Sequence, residues 1–304
     1  MSENAKLHYQ GKEFELPLIH GTEDEVAIDI RRLRNDSGLI AFDPGLGNTG
    51  SCKSKITFID GEKGVLRYRG IPLEAIESHP NFVEVAWLLI FGSLPTRAEY
   101  QRFSRSLTDT ANIDEDMKHH FTGFPRSAPP MAELSAMLST LSCFHPEFLE
   151  VEDPCEVEQV AARLISKVRT LAAYAYRRSR GLPYNYPDPS LPYVANFLHM
   201  MFSKPYQQYI LDDEVMSALN MLLILHADHE QNCSTSTVRM VGSSGANLFA
   251  SCAAGVSALW GPLHGGANVA VIEMLEAIHK GNMTAEQYVA LAKDKDNPVR
   301  LMGF

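Results

Sequence analysis

Positive charge is scarce in this 304-residue chain: 27 Lys and Arg stand against 37 Asp and Glu, a formal net charge of −10. A nucleic-acid partner needs a basic surface to neutralise phosphates, so the balance argues against that class and leaves any anion to be met by a local pocket. Cysteine is sparse as well, with five residues at positions 52, 143, 155, 233 and 252. An odd number without CxxC spacing argues against a disulfide framework or a zinc ribbon and suits reduced thiols in a cytoplasmic compartment. No apolar run approaches the roughly 18 residues of a membrane span, and the first residues, MSENAKLHYQ, have neither a basic nor an apolar signal region. A cytosolic protein with no membrane and no nucleic-acid partner is expected. There is no internal repeat and no low-complexity segment, and 45% hydrophobic with 21% charged residues is an ordinary globular composition.

What is present begins with strands. Leu7, Tyr9, Phe14 and Leu16 alternate around Gln10-Gly11-Lys12, which predicts a small hairpin, and ITFIDGEKGVLRYRG at 56–70 predicts a second with its turn at Gly61 to Gly64. Between them, Gly45 to Gly50 matches G-x-G-x-x-G by letter. Asp43 and Pro44 precede it and a strand-like segment follows, so the strand-turn-helix context of a dinucleotide site is missing. From Phe82 onward the periodicity is helical: 83–91, a capping box at Thr96 and Glu99, 131–143, 157–176, 196–202, 214–229 and 245–260, with 181–189 a loop. Arg163, Lys167, Arg169, Arg177, Arg178 and Arg180 form a basic run on the long helix, read as a solvated face. The fold class is mainly α, with a small β-rich N-terminal region.

The stretch 225–270 concentrates the chemistry, holding three of the eleven histidines and the densest run of small residues. Val215, Leu219, Leu222, His226 and His229 recur at helical spacing, so both imidazoles are expected to continue a buried stripe. His264 lies between Pro262 and Gly265-Gly266, just before the periodic run Val269, Ile272, Leu275 and Ile278, and is expected at a helix start. A histidine at such a turn is suited to donate a hydrogen bond to an oxyanion or enolate oxygen. A metal-hydrolase reading would draw His226, His229 and Glu230 as ligands, but neither H-E-x-x-H nor H-x-x-E-H is present, and no metal is assigned.

The segments HADHEQN, STSTVR, GSSGAN and GPLHGGAN, in this order, resemble the citrate synthase family, specifically its bacterial, hexamer-forming type II branch. FDPG at 42–45, SKITFIDG at 54–61 and RLISK at 163–167 extend the resemblance over nearly the whole chain. It implies a multihelical fold with a β-rich region at 1–70, a large helical domain at 71–275 and the start of a small domain at 276–304. It implies condensation of acetyl-CoA with oxaloacetate to citrate and CoA, with acetyl-CoA as a substrate and no separate cofactor. By the same resemblance His264 is the catalytic donor to the thioester oxygen, His229 with His226 and Asn232 behind it binds oxaloacetate, and Arg300, Leu301, Met302, Gly303 and Phe304 open the segment that wraps the coenzyme. A homodimer or hexamer is implied too. The family's next residues would be Gly-His-Arg, so the resemblance implies a truncated chain whose activity, taken alone, is impaired. The alternatives are 2-methylcitrate synthase, which takes propionyl-CoA, and a non-catalytic scaffold of the same fold. At the positions matching the family's NADH site, Arg163 and Lys167 agree while Asp109, Thr110, Ala111, His145, Pro189 and Tyr206 do not, which speaks against NADH inhibition.

Overall fold

The computed structural model describes residues 3–77, 81–151, 153–207 and 209–303. The chain divides into two compact units, Met1–Ser54 and Lys55–Phe304. In the first, β1 (Asn4–Tyr9) and β2 (Lys12–His20) pair antiparallel with Leu7 opposite Phe14 and Tyr9 opposite Lys12. Gln10 and Gly11 between them both have positive φ, 49° and 73°, the two-residue turn whose twist suits a hairpin. β3 (Val26–Ile28) adds a third strand to β2, and the short helix α1 (Leu33–Ser37) follows. In the glycine-rich stretch after it, the Asp43 carboxylate accepts from Gly47 N (3.2 Å), Asn48 N (2.8 Å) and Thr49 Oγ1 (2.7 Å). Amides that a dinucleotide phosphate would need are thus bound to a carboxylate, and the next element is a strand.

The second unit opens with the predicted hairpin, β4 (Thr57–Asp60) and β5 (Val65–Tyr68), with Asp60 opposite Val65, followed by the short β6 (Ile71–Pro72). Helices make up the rest: α2 (Leu73–Glu77), α3 (Phe82–Phe91), α4 (Arg97–Asp109), α5 (Glu115–Thr122), α6 (Pro130–Phe144), α7 (Pro154–Ser179), α8 (Tyr193–Phe202), α9 (Asp213–Leu225), α10 (Cys233–Gly242), α11 (Leu248–Leu259), α12 (Gly266–Lys280) and α13 (Ala285–Lys293). The core is built on α7, a 26-residue helix started by a capping box between Asp153 and Glu156. Val160, Leu171 and Tyr174 pack with Phe121 of α5, Leu138 of α6 and Phe249 of α11, while Ala162 meets Trp87 and Phe103 on another side.

Two expectations are corrected here. The basic run on α7 is not a solvated face: Lys167 and Arg169 are each 5% exposed and Arg177 is 0% exposed. Arg177 donates to the carbonyls of Pro183, Met201 and Ser203, so its guanidinium satisfies three oxygens on two chain segments, the loop after α7 and the end of α8. The stripe through His226 and His229 is not buried either. α9 ends at Leu225, four residues short of the predicted limit, and both histidines are exposed on the turn that follows.

Candidate active site

Where α9 stops, its last carbonyls run short of backbone donors, and the two imidazoles reach back to them, Leu222 O taking the His226 amide (3.1 Å) as well. His226 Nδ1 donates to Leu222 O (2.7 Å), and His229 Nε2 donates to Leu225 O (2.8 Å). The rings lie 6.3 Å apart, and His226 Nε2 is 3.1 Å from the side-chain amide of Asn268 in the first turn of α12. With Nε2 spent on a carbonyl, Nδ1 is the atom His229 offers to a ligand. That nitrogen accepts in the neutral ring and donates in the imidazolium.

The β4–β5 hairpin fixes this turn from the other side. Thr57 Oγ1 donates to the Asp228 carboxylate, Ile59 N to Glu230 Oε1 (3.0 Å), and Glu230 N to Asp228 Oδ2 (3.2 Å). Tyr68 donates its hydroxyl to Ile224 O (2.8 Å) and accepts from the Asp228 backbone, and burial pushes its phenol up to about 12. Glu230 sits at φ 55°, a left-handed conformation that these bonds hold in place. Both acidic residues are therefore anchors. Among the described residues no group of three His, Cys, Asp or Glu is arranged to hold a metal ion.

α10 begins two residues further on. Asn232 is its N-cap and accepts from Thr235 N (2.9 Å), so this side chain organises the helix start. One amide there points at His264: Ser234 N donates to His264 Nε2 (3.3 Å), and Ser234 Oγ lies 2.7 Å from the same nitrogen and 2.9 Å from Gly255 O. A backbone N–H only donates, so Nε2 as its acceptor puts the proton of the neutral ring on Nδ1, the tautomer in which the one Ser234 hydroxyl proton is shared between Nε2 and Gly255 O. His264 itself sits two residues before α12 and is half-buried. The turn is tight: His264 N and Gly265 N both bond Gly261 O at 3.0 Å, and a Cβ on Gly265 would stand 2.2 Å from Leu259 O. Only glycine fits at that position.

The structure thus brings His226, Asn232 and His264 onto one bonded framework with His229 on the same turn, through Ser234 and Asn268. Neither of those two partners is read from the sequence. A contact spanning 30 positions leaves no local pattern. The 300–303 segment lies elsewhere on α12. Arg300 donates to the carbonyls of Asn297 and Val299 (2.9 Å each), Met302 N lies 3.4 Å from Met274 Sδ, and Leu301 and Gly303 are exposed. Phe304 falls outside the described residues.

Fold and site together define a mainly helical protein with an imidazole held at a glycine-rich helix start and two histidines capping another helix, one of them bonded to Asn268 in the first turn of α12. A family model for "Citrate synthase, C-terminal domain" matches residues 45–304. Citrate synthase 1 of Mycobacterium tuberculosis is 47% identical over 302 residues, covering 99% of this chain and 70% of that protein. Citrate synthase of Corynebacterium glutamicum is 48% identical over 303 residues, 99% of this chain and 69% of that protein. Among solved structures, the ternary complex of citrate synthase from Thermoplasma acidophilum with carboxymethyl coenzyme A and oxaloacetate superposes with a TM-score of 0.73 at 27% identity, over 85% of this chain and 66% of that one. The chain belongs to the citrate synthase family.

Proposed function

We propose that this protein condenses acetyl-CoA with oxaloacetate, water then cleaving the thioester to give citrate and CoA, with His264 as the donor that makes the condensation possible. A thioester methyl is too weak an acid to lose its proton unless the charge appearing on the thioester oxygen is shared. The Ser234 amide set 3.3 Å from His264 Nε2, which leaves Nδ1 to carry the proton, is the observation that carries this reading, and a preorganised donor of this kind is worth about 10²–10³ in rate. His229 would meet oxaloacetate through Nδ1, the nitrogen that its bond to Leu225 O leaves available. His226 and Asn232 stand behind it, the first bracing Asn268 and the second setting the α10 amides. Arg300 to Phe304 would begin the coenzyme-wrapping segment, continuing a small domain from 276 beside the large helical domain at 71–275 and the β-rich region at 1–70.

Assembly belongs to the same reading. Met240, Trp260, Leu263, Val269, Ile272 and Leu275 expose apolar surface on and between α10, α11 and α12, which supports a homodimer formed across these helices and, from the type II resemblance, a hexamer. Among the described residues no helix is long and apolar enough to cross a membrane, which with the acidic composition supports a cytoplasmic location. The test is thiol release from acetyl-CoA with and without oxaloacetate, repeated with propionyl-CoA. Oxaloacetate-dependent release that prefers acetyl-CoA is expected. A preference for propionyl-CoA would make the protein a 2-methylcitrate synthase, and no oxaloacetate dependence would leave a scaffold of the same fold.

A further inference from the structure

A cavity of about 280 Å³ is walled by α3, α4, α7, α8 and α9, and none of the three histidines lines it. Four of its polar side chains keep donors to spare, while Thr108 and Tyr193 give their hydroxyl protons to carbonyls. Arg169 of α7, 5% exposed, gives one Nη1–H to Tyr193 O (2.9 Å) and stacks 4.3 Å from the Tyr193 ring centre, yet its Nε–H has no acceptor. Ser104 Oγ is buried without a partner. Tyr100 Oη accepts from Asn81 Nδ2 (3.1 Å), which leaves its own proton without an acceptor among the described residues. Asn220 spends Oδ1 on the Phe82 amide (3.2 Å), so its NH2 group is the part left to offer.

Against these donors stands no carboxylate. No Asp or Glu lines the cavity, and among the described residues none pairs with Arg169. A guanidinium does not give up its proton, so the fold carries a buried positive charge offset only by carbonyl and hydroxyl dipoles and one aromatic face. Burial pushes its ionisation down from the ordinary arginine value, the direction expected of a cation that lacks a counter-charge. The rest of the wall is apolar, including Leu107, Val194 and Met216.

We propose that this cavity is a binding site for a small monocarboxylate, with the carboxylate taken by Arg169, Ser104, Tyr100 and Asn220 and a short carbon chain laid against the apolar wall. An acceptor-only group suits a lining of donors, and one buried cation balances one negative charge. A dianion would bring a second charge that no lining residue meets. Ser104 Oγ and Arg169 Nε are covered by neighbours, so a ligand reaches them through a rotation of Ser104 and a small shift of Arg169.

The experiment is calorimetric titration of the whole chain with sodium butyrate, set beside butyramide and inorganic phosphate. Saturable butyrate binding is expected, weakened by roughly three- to tenfold in Tyr100→Phe and again in Ser104→Ala, each of which removes one hydrogen bond and no charge. Arg169→Gln should abolish it. Because that variant also loses a core cation–aromatic contact, the two mild substitutions, confirmed as folded by circular dichroism, decide the matter. Absence of saturable binding, equal affinity for butyramide, phosphate bound in preference to butyrate, or butyrate affinity unchanged in both mild variants would each overturn the site.

Discussion

At His264 the ring proton is placed by a backbone amide that has no other option than to donate, and nitrogen NMR reads such a placement directly. The expected spectrum has His264 protonated on Nδ1 and His229 on Nε2, because the first ring accepts from Ser234 N and the second donates to Leu225 O. An Nε2–H form of His264 would remove the donor from the substrate side. Gly265 is the companion position. A Cβ there overlaps Leu259 O at 2.2 Å, so Gly265→Ala should shift the turn and lower stability by about 1–3 kcal/mol in urea unfolding. Lys167 offers a pH test. Burial is the largest cause lowering its pKa to about 8 from the free value of 10.5, with Arg163 adding to the shift. Between those values the unfolded chain binds the extra proton and the folded chain does not, so stability rises with pH across the window and the penalty is full below it. Measured against Lys167→Met, which cannot titrate, the wild type should gain stability from pH 8 towards 10. A flat difference would mean that Lys167 is solvated.

Elements carry these residues, and their packing gives further tests. α10 and α11 approach at Gly255, where a Cβ would come 2.6 Å from Val238 Cγ2. Gly255→Ala should force the pair apart at a cost of about 1–3 kcal/mol, and it should disturb Ser234, whose hydroxyl bonds Gly255 O. Thr57→Val, which frees the Asp228 carboxylate from the hairpin, should cost about 1 kcal/mol. Much of this architecture is legible in sequence. Apolar periodicity locates α3, α6, α7, α8 and α11, and Thr96 with Glu99 forms the capping box. Both hairpins reverse where glycines stand, one at Gln10-Gly11 and the other between Gly61 and Gly64. α5, α10 and α13 fall where no helix is read, because short segments rich in polar or small residues, such as CSTSTVRMVG, weaken the periodic signal. The α9 limit is overrun for the opposite reason: His226 and His229 keep the spacing of a stripe after the helix has ended, since they serve as its cap. Buried Arg177 is invisible to any local pattern, as its acceptors come from positions 183, 201 and 203.

For the whole molecule, the resemblance reaches further than periodicity does, and it supplies the roles that geometry then constrains. NADH regulation is expected to be absent. Of the two matching cations Lys167 is buried with its ammonium on Asn112 O, while Asp109 and Tyr206 are exposed where the regulated relatives are expected to hold a nucleotide. Calorimetric titration with NADH should show no tight binding, and saturable binding that lowers turnover would contradict this. Whether His264 carries the condensation is decided by oxaloacetate-dependent thiol release from acetyl-CoA in the wild type and in His264→Ala, with circular dichroism to establish that the variant is folded. A fall of about 10²–10³ in kcat is predicted for His264→Ala with oxaloacetate KM little changed, since the lost donor acts on the thioester oxygen in the transition state. A His264→Ala protein that turns over within a few-fold of the wild type would contradict it.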